Sequence, residues 1–549
     1  MLLVGKSTEG RSVAAAIVDG ICPQRRRYEG REVVVAYLNS APNPEPAKER
    51  DAIVPEHLSP LALFHPDGVT ARSVVIGSKC PTVLLPAPCS KVDEHADLVL
   101  LTPTIAECCT KGWLEEAVQV LVHMLTPDGV AYTLAPAQWR ARIMSLLRRQ
   151  GLSIGPLIAH LPDWEASRYL VPLTPIPAWY AFSQLIPIGL RKRFLTMAAC
   201  RLPGGKPLLA RMVPAIGLIA RRSGSRPLFD WLFQLGRERH PCESAIISTR
   251  RRGQTGTAVL LCFSGGGVLP SVVAKRALTM AANATSLREA TLLTRLGPGV
   301  QNAGARIPQP LRVEQIAGHS LFLQATLSGQ SIASLLALRP GRLLDLMERV
   351  VCWLERWNRS TMVVKPLDRT RLDQALLAPA ALLTPFLEQG EEYRQWLAMR
   401  CALAVGVPIP LVSMHGDLTM SNILVDGHGH LGIVDWETGQ EEGLPLVDFF
   451  YAMADAVAAT QGYADRPKAF AACFVPGGIY MSALARLRTR LTRALKIPAD
   501  VADLCFHACW LHHAANEHNI GEPPERRRFL KIVQWLALQR SCTEGWMHE

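Results

Sequence analysis

The sequence lacks the roughly 18 to 20 uninterrupted apolar residues that a membrane-spanning helix requires. The closest stretch, residues 170–190, is interrupted by four prolines and is followed by the basic residues Arg191, Lys192 and Arg193. Such a stretch predicts a buried, loop-rich part of a domain. Peripheral contact with an anionic membrane surface remains the alternative for it.

The sequence also lacks the cysteine spacing of a disulfide framework. Its 14 cysteines are scattered singly, and residues 1–20 contain no basic segment followed by a long apolar core. A secretory signal is therefore not expected, and the thiols are predicted to be reduced. The pattern favours a cytoplasmic protein.

The composition describes a folded chain of more than one domain. Of 549 residues, 49% are hydrophobic and 19% are charged, which excludes a disordered or fibrous protein. The net charge of +12 favours anionic partners. Basic clusters such as Arg25–Arg27 and Arg250–Arg252 have no interleaved aromatics, so no nucleic-acid partner is expected.

The first half alternates short β-branched runs with helical stretches, the pattern of an α/β domain. Residues 71–170 resemble the latter part of a class I S-adenosylmethionine methyltransferase, because a strand at 97–101, a helix at 114–125 and a Pro-Asp-Gly turn before a further strand follow in order. In that fold a glycine-rich turn follows the first strand. Here Ser73–Gly77 is followed by Ser-Lys-Cys-Pro, so a degenerate Rossmann-like domain is predicted; a working methyltransferase is the alternative.

The segment 411–437 carries the strongest chemical pattern. Residues 423–425 and 431–434 are predicted strands, joined by a glycine-bearing turn. A hairpin of this length brings its ends together, so Asn422 before it and Asp435 after it should lie at one end, near Asp417. Amide and carboxylate oxygens are the hard ligands that Mg²⁺ takes, and Asp417 would stand where it can accept a proton.

This pattern resembles the aminoglycoside phosphotransferase and choline kinase family. Residues 415–422 match its His-x-Asp-x4-Asn signature, and Ile-Val-Asp-Trp-Glu at 433–437 matches the Asp after the hairpin. The resemblance implies a bilobal protein-kinase-like fold, Asp417 as catalytic base, His415 bracing the loop, and Asn422 with Asp435 on Mg²⁺. Asp448, in Gly-Leu-Pro-Leu-Val-Asp, corresponds to a residue that is typically structural in the family.

A kinase-like site also needs a nucleotide lobe upstream. Strands are predicted at 245–249, 258–263 and 271–275, and a helix at 286–296. Lys275, at the end of the third strand, corresponds to the phosphate-contacting lysine of kinase-like folds, and Glu289 on the helix is its expected ionic partner.

Three further features complete the predicted nucleotide site. The loop containing Gly253 and Gly256 is expected to cover the phosphates through backbone amides. Residues 321–329 form a strand and a glycine turn where the hinge between the lobes is expected. Backbone groups from Gln324 to Thr326 would then meet the base of ATP or GTP.

The sequence therefore predicts four segments: an α/β methyltransferase-like domain at 1–225, a linker at 226–241, a kinase-like nucleotide lobe at 242–327, and a helical lobe with the catalytic loop and substrate pocket at 328–549. The expected reaction transfers the γ-phosphoryl group of ATP or GTP, with Mg²⁺, to a hydroxyl of a small molecule such as a sugar, an amino-alcohol or an aminoglycoside-like compound. A scaffold with a weak or inactive kinase domain, or a bifunctional methyltransferase-kinase, is the alternative.

A second cluster of potential ligands lies near the C-terminus. Cys505, Cys509 and His512 or His513 share a helix face at this spacing. The face could hold zinc, although such a face is more often a packed core with satisfied histidines.

Overall fold

The computed structural model describes residues 23–28, 31–39, 60–64, 72–76, 96–161, 167–185, 215–226, 228–229, 232, 242–249, 256–264 and 267–539. The chain divides into two compact units. Unit 1 comprises Met1–Leu287 and Leu311–Thr326, and unit 2 comprises Arg288–Pro310 and Leu327–Glu549.

The described strands are, in chain order, β1 Pro23–Tyr28, β2 Arg31–Asn39, β3 Arg72–Ile76, β4 Ala96–Leu101, β5 Leu125–Leu134, β6 Leu152–Leu161, β7 Tyr169–Pro172, β8 Ala215–Arg222, β9 Ser244–Thr249, β10 Thr257–Phe263, β11 Val272–Ala277, β12 Ala305–Arg306, β13 Pro310–Ile316, β14 His319–Ala325, β15 Gln330–Ser331, β16 Val363–Pro366, β17 Pro408–Met414, β18 Ile423–Val425, β19 Leu431–Ile433 and β20 Gln440–Gly443.

The described α-helices are α1 Ile105–Cys109, α2 Trp113–Met124, α3 Arg140–Arg149, α4 Pro175–Tyr180, α5 Met280–Asn302, α6 Ile332–Leu338, α7 Leu343–Thr361, α8 Arg369–Leu372, α9 Ala378–Leu383, α10 Gly390–Ala404, α11 Val447–Thr460, α12 Arg466–Phe474, α13 Met481–Leu495, α14 Ala499–Asn519 and α15 Arg528–Leu538. None of the helices in these described ranges is long and apolar enough to cross a membrane.

Unit 1 is built on one mixed sheet with the order β1-β2-β3-β4-β5-β8-β6-β7-β9-β10-β11-β14-β13. Strands β3, β4 and β5 are parallel, with α1 and α2 between β4 and β5 in sequence. Leu98–Leu101 of β4 are fully buried, as expected for a parallel strand covered on both faces. The predicted α/β character of the first half agrees with this part of the sheet, whereas its methyltransferase-like description stays a prediction.

Two details of the first half differ from the sequence prediction. The predicted turn Pro127–Gly129 lies inside β5, where the pairing with β4 shifts register next to Ala96. A strand can absorb such residues in an irregular register, so turn-forming residues alone misplaced the boundary. The second detail is the pairing of β7 with β9, in which Leu170 lies opposite Ile247. One sheet therefore runs past the predicted linker, most of which lies outside the described residues.

The strands predicted for the nucleotide lobe are present, and β9, β10, β11, β14 and β13 form an antiparallel part of the same sheet. The nucleotide-binding role of this part stays a prediction. Helix α5 follows β11 and is longer than the predicted helix at 286–296. The chain passes from unit 1 into unit 2 between Thr326 and Leu327, inside the segment predicted as a hinge.

Unit 2 combines two small sheets with helices. The sheets have the orders β12-β19-β18-β15 and β16-β17-β20. Its core is rich in aromatic residues, and Trp353, Trp357, Trp436 and Trp510 are among the largest fully buried side chains. The Trp357 and Trp436 rings meet edge to face with centroids 6.1 Å apart. This contact anchors the segment that directly follows Asp435.

Candidate functional site

A tight turn joins the buried strand β17 to Asp417. Gly416 has φ +80°, a conformation that glycine adopts without steric cost. A Cβ at this position would lie 2.7 Å from the carbonyl oxygen of Thr438. The Thr438 hydroxyl donates to the carbonyl of His415 at 3.0 Å. Only glycine satisfies both the backbone angle and the close approach, so the middle residue of His-Gly-Asp is fixed by packing.

His415 ties this turn to the hairpin. Its side chain is fully buried, with Nδ1 3.2 Å from the Asp417 amide and Nε2 2.9 Å from the Val434 carbonyl. An amide can only donate and a carbonyl can only accept, so the ring is neutral with its proton on Nε2. This contact set agrees with the bracing role expected for His415.

The hairpin has the predicted geometry. Ile423 lies opposite Ile433 in the β18–β19 pair, and the amide of Val434 donates to the carbonyl of Asn422 at 2.9 Å. Asn422 and Asp435 therefore flank the same end of the hairpin. At the other end, Asp426 accepts hydrogen bonds from the amides of His428 and His430 and closes the turn.

Asp417 and Asn422 are in direct contact. The Asn422 side-chain nitrogen donates to the Asp417 carbonyl at 3.0 Å and lies 3.4 Å from Asp417 Oδ2. Because the amide nitrogen faces Asp417, the Asn422 Oδ1 atom is the oxygen available to a cation. Asp417 itself is half-buried, so its carboxylate is not sealed in the core.

Asp435 is held in a left-handed backbone conformation with φ +68°. A non-glycine residue adopts this region at a cost of order 1 to 3 kcal/mol, and such residues cluster at functional sites. The next residue, Trp436, donates its amide to Glu289 Oε1 at 3.1 Å and its indole N–H to the Ile433 carbonyl at 3.0 Å. These two bonds fix the backbone directly beside Asp435.

Glu289, 1% exposed, thus supports the hairpin within unit 2. The neighbouring Arg288 donates to the carbonyl of Glu437 at 2.8 Å. The predicted ion pair between Glu289 and Lys275 joins residues of different units and stays a prediction. Sequence reasoning did not identify the contact between Glu289 and Trp436, because 147 residues separate the two.

Lys275 and Gln324 belong to unit 1 and are each 4% exposed. On β11, Lys275 lies opposite Val259 of β10 and Phe322 of β14. Within the described part of the chain, Gln324 Oε1 is buried without a hydrogen-bond partner. Gln324 thereby has an unused acceptor near the predicted base-binding strand end.

The other residues predicted to contact the nucleotide are Thr326, Gly256 and Gly253, and their contacts stay predictions. Within the described residues the hydroxyl of Thr326 is also buried without a partner. Gly256 has φ +54°, and its carbonyl accepts from the amides of Leu278 and Thr279, which gives it a structural role beside β11. Gly253 lies outside the described residues, so its predicted phosphate contact is untested.

Helix α11 supplies two carboxylates to the loop. Asp448 accepts from the amides of His415 at 2.7 Å and Gly416 at 2.9 Å. Burial raises the pKa of the Asp448 carboxyl, and the hydrogen bonds from the amides of His415 and Gly416 oppose this effect. Asp455 accepts from the amide of Met420 at 2.7 Å. The resemblance identified Asp448 as structural, but Asp455 was missed, although an acidic residue seven positions later on an apolar helix is a readable signal.

No group of three or more His, Cys, Asp or Glu side chains suited to a metal occurs in the described ranges. A site of one Asn, one Asp and nucleotide oxygens is compatible with this finding, because Mg²⁺ is commonly held by few protein ligands together with phosphates. The oxygens of Asn422 and Asp435 suit it in type. In the C-terminal cluster, Cys505 and Cys509 are buried in α14, and His507 bonds the Tyr393 hydroxyl through Nδ1 at 2.7 Å.

Comparison with known proteins identifies the part of the chain that carries this geometry. Residues 265–487 match the model of the phosphotransferase enzyme family. This match confirms the predicted family resemblance of the C-terminal half. The matched range includes the loop from His415 to Asn422, the hairpin, Lys275 and Asp448. No curated protein matches the chain.

Solved structures similar to this chain include three aminoglycoside phosphotransferases. A GDP and kanamycin complex of APH(2")-IIia is 14% identical over 57% of this chain and 97% of that chain, with a TM-score of 0.35. APH(3'')-Id from Streptomyces rimosus is 17% identical over 47% and 90%, with a TM-score of 0.32. A thermostable mutant of APH(4)-Ia in complex with ADP and hygromycin B is 12% identical over 53% and 93%, with a TM-score of 0.33.

Proposed function

We propose that the chain transfers the γ-phosphoryl group of ATP or GTP to a hydroxyl group of a small molecule. One observation carries the proposal: the hairpin brings Asn422 and Asp435 to one end, and the Asn422 amide contacts Asp417. This arrangement supports Asp417 as the proton acceptor and Asn422 with Asp435 as ligands of a divalent cation. The family match over residues 265–487 supports the same reaction class.

In this mechanism Asp417 orients the acceptor hydroxyl and takes its proton as the oxygen bonds to the γ-phosphorus and the β,γ-bridging bond breaks. Asn422 would hold the Asp417 carboxylate through its amide nitrogen and offer Oδ1 to Mg²⁺, with Asp435 as the second ligand. When bound, Mg²⁺ would neutralise negative charge on the phosphates of the nucleotide. His415 would keep the loop in register without contacting the substrate.

The nucleotide is proposed to be bound by unit 1 residues. Lys275 would contact its phosphates, and the strand end at Gln324 to Thr326 would meet the base. The buried oxygen of Gln324 and the buried hydroxyl of Thr326 support this assignment, since within the described residues neither has a hydrogen-bond partner. Buried polar atoms without partners are uncommon in folded proteins and are accounted for by a ligand or water.

The acceptor is proposed to occupy a cavity of about 340 Å³ within unit 2. Met414, which precedes His415, and Val447, which precedes Asp448, line it together with Gln374 and Ala508. The two carboxylates that line the cavity belong to Asp368 and Glu442. Both are paired with Arg371, at 3.6 Å and 3.5 Å. This lining favours a neutral or weakly charged hydroxyl compound, such as a sugar or amino-alcohol, over a polycation.

Magnesium-dependent turnover tests the assignment. Wild-type protein should hydrolyse ATP or GTP slowly with Mg²⁺, and Asp417→Ala should retain nucleotide binding and lose turnover by about 10²-fold or more. Asp426→Ala, which changes the opposite end of the same hairpin, is the matched control and should remain active. Equal rates in wild type and Asp417→Ala would remove the catalytic role and favour a binding or scaffolding protein.

A further inference from the structure

Asp455 is a fully buried carboxylate whose partners lie on the loop at Met420 and on the stretch from Tyr463 to Arg466. Its oxygens accept from the Met420 amide at 2.7 Å, the Tyr463 hydroxyl at 3.1 Å and Arg466 Nη1 at 2.9 Å. A buried carboxylate is costly unless it is paired and hydrogen-bonded. Here three donors bind the Asp455 carboxylate, so its burial is compensated and its position is fixed.

Asp455 contacts the loop that carries Asp417 at one residue, Met420. Met420 lies between Asp417 and Asn422. Within this stretch the Thr419 amide donates to the Asp417 carbonyl at 2.8 Å, and the Asn422 amide donates to the Thr419 carbonyl at 3.0 Å. Met420 directs its amide away from the loop, to Asp455. The carboxylate therefore fixes the middle of the segment that separates the proposed base from a proposed metal ligand.

Helix α11 holds this loop on both sides of Asp417. Asp448 and Asp455 are seven residues apart, two helical turns, and therefore lie on one face of α11. Asp448 binds the amides before Asp417, and Asp455 binds the amide after it. A rigid helix that holds both flanks limits the movement of Asp417 relative to Asn422.

The partners of Asp455 are themselves held in place. Arg466 lies over the rings of Tyr463 and Phe529, 5.0 Å and 5.3 Å from their centroids. The Tyr463 hydroxyl is also 3.5 Å from Ser421 Oγ, next to Asn422. Burial and the nearby Asp455 raise the pKa of Tyr463, which keeps its hydroxyl a donor at neutral pH. The network thus reaches from the start of α15 to the loop.

We propose that Asp455, held by Arg466 and Tyr463, is a positioning residue that sets the separation of Asp417 and Asn422 and thereby the affinity of the site for a divalent cation. This inference rests on the proposed function, because it assigns Asn422 to the cation. Supporting residues around a metal site typically change metal affinity or activity by 10- to 100-fold when altered. A residue with a purely structural role would change stability without changing metal affinity in the folded protein.

The test is Mn²⁺ affinity of the full chain in the presence of ADP, measured by electron paramagnetic resonance. Asp455→Asn keeps the size but offers only one acceptor oxygen, and we expect about tenfold weaker Mn²⁺ binding. Tyr463→Phe removes one donor and should weaken binding in the same direction, by about threefold. Asn422→Ala marks the effect of losing a ligand.

Asp465→Asn is the matched control. Asp465 caps α12 by accepting from the Lys468 amide at 3.0 Å. It directly precedes Arg466, but within the described residues it makes no hydrogen bond or ion pair with the loop that carries Asp417. It should bind Mn²⁺ within about twofold of wild type. If Asp455→Asn and Tyr463→Phe both fold and bind Mn²⁺ within about twofold of wild type, the inference is overturned. The proposed function is not affected by this outcome.

Two other outcomes are decisive. If Asp455→Asn does not fold, the Tyr463→Phe measurement decides between positioning and structure alone. If wild-type protein has no nucleotide-dependent Mn²⁺ site, or if Asn422→Ala binds as wild type does, the assignment of the cation site fails and the inference fails with it.

Discussion

Units 1 and 2 use their buried polar groups differently. In unit 1 the Tyr132 hydroxyl and His160 Nε2 form a 2.7 Å hydrogen bond across the sheet core. Arg276 directs its guanidinium to the carbonyls of Ile316 and His319, and burial lowers its pKa to about 10. These groups tie strands to each other. In unit 2 the buried carboxylates of Asp448 and Asp455 instead hold backbone amides of one loop.

The difference separates two uses of a buried polar group, the support of a loop and the support of a sheet. A carboxylate that holds loop amides fixes the direction of side chains on that loop, which is a requirement of catalysis. Polar pairs inside a sheet mainly stabilise the sheet. Under the proposed function, the loop held by Asp448 and Asp455 belongs to the reacting site, whereas the Tyr132–His160 and Arg276 contacts stabilise the sheet of unit 1.

Asp448→Ala should produce the largest loss of stability. The substitution leaves the amides of His415 and Gly416 buried without acceptors, and each unsatisfied group costs about 1 to 3 kcal/mol. We expect the free energy of unfolding of unit 2 to fall by about 4 kcal/mol, measured by urea denaturation of the full chain. Asp345→Ala, at an exposed ion pair with Arg342, should change it by less than about 1 kcal/mol. Equal losses in the two variants would contradict the proposed support of the loop.

Gln374→Trp should weaken acceptor binding without changing the nucleotide reaction. Gln374 is exposed and lines the unit 2 cavity, so an indole there would fill part of it. The KM for the acceptor should rise by about tenfold, which corresponds to about 1.4 kcal/mol, while basal hydrolysis stays unchanged. Gln395→Trp, an exposed position on α10 outside the cavity, is the control. An unchanged acceptor KM in Gln374→Trp would place the acceptor elsewhere.

Tyr132→Phe should have a smaller effect that is confined to stability. The variant removes the hydroxyl bonded to His160 and should lower the free energy of unfolding by about 1 kcal/mol, with unchanged phosphoryl transfer. Thermal unfolding and turnover of the same preparation measure both quantities. A loss of turnover larger than the loss of stability would assign the Tyr132–His160 pair a part in the reaction and contradict its purely structural role.

The smallest effect is expected for S-adenosylmethionine. Because the strand at Ser73 lacks a following glycine-rich turn, titration of the full chain by calorimetry should give no saturable heat. Saturable binding would instead favour the bifunctional alternative and assign the first half its own chemistry.

The sequence made the hairpin site readable because its parts are close along the chain. His415, Asp417, Asn422 and Asp435 lie within 21 residues, and the two short strands with their turn determine which ends meet. Glu289 and Asp455 were harder to interpret, because the amides they bind lie 147 and 35 residues away. Such contacts depend on tertiary packing, which local periodicity does not specify.

The sheet of unit 1 was only partly predictable for the same reason. The strands and helices of its parallel part follow from apolar runs, and α2 agrees closely with the helix predicted at 114–125. Strand β8 lies between β5 and β6, and β7 pairs with β9. Both arrangements depend on contacts between residues that are far apart in sequence. Single-sequence patterns indicate strands but not their neighbours in a sheet.

The most direct test of the central claim is a crystal structure of the full chain with a non-hydrolysable nucleotide and Mn²⁺, located by anomalous scattering. We expect one manganese peak within coordination distance of Asn422 Oδ1 and an Asp435 carboxylate oxygen, with Asp417 beside it and outside the coordination shell. A bound nucleotide whose metal lies away from both side chains would contradict the assignment of Asn422 and Asp435 as metal ligands.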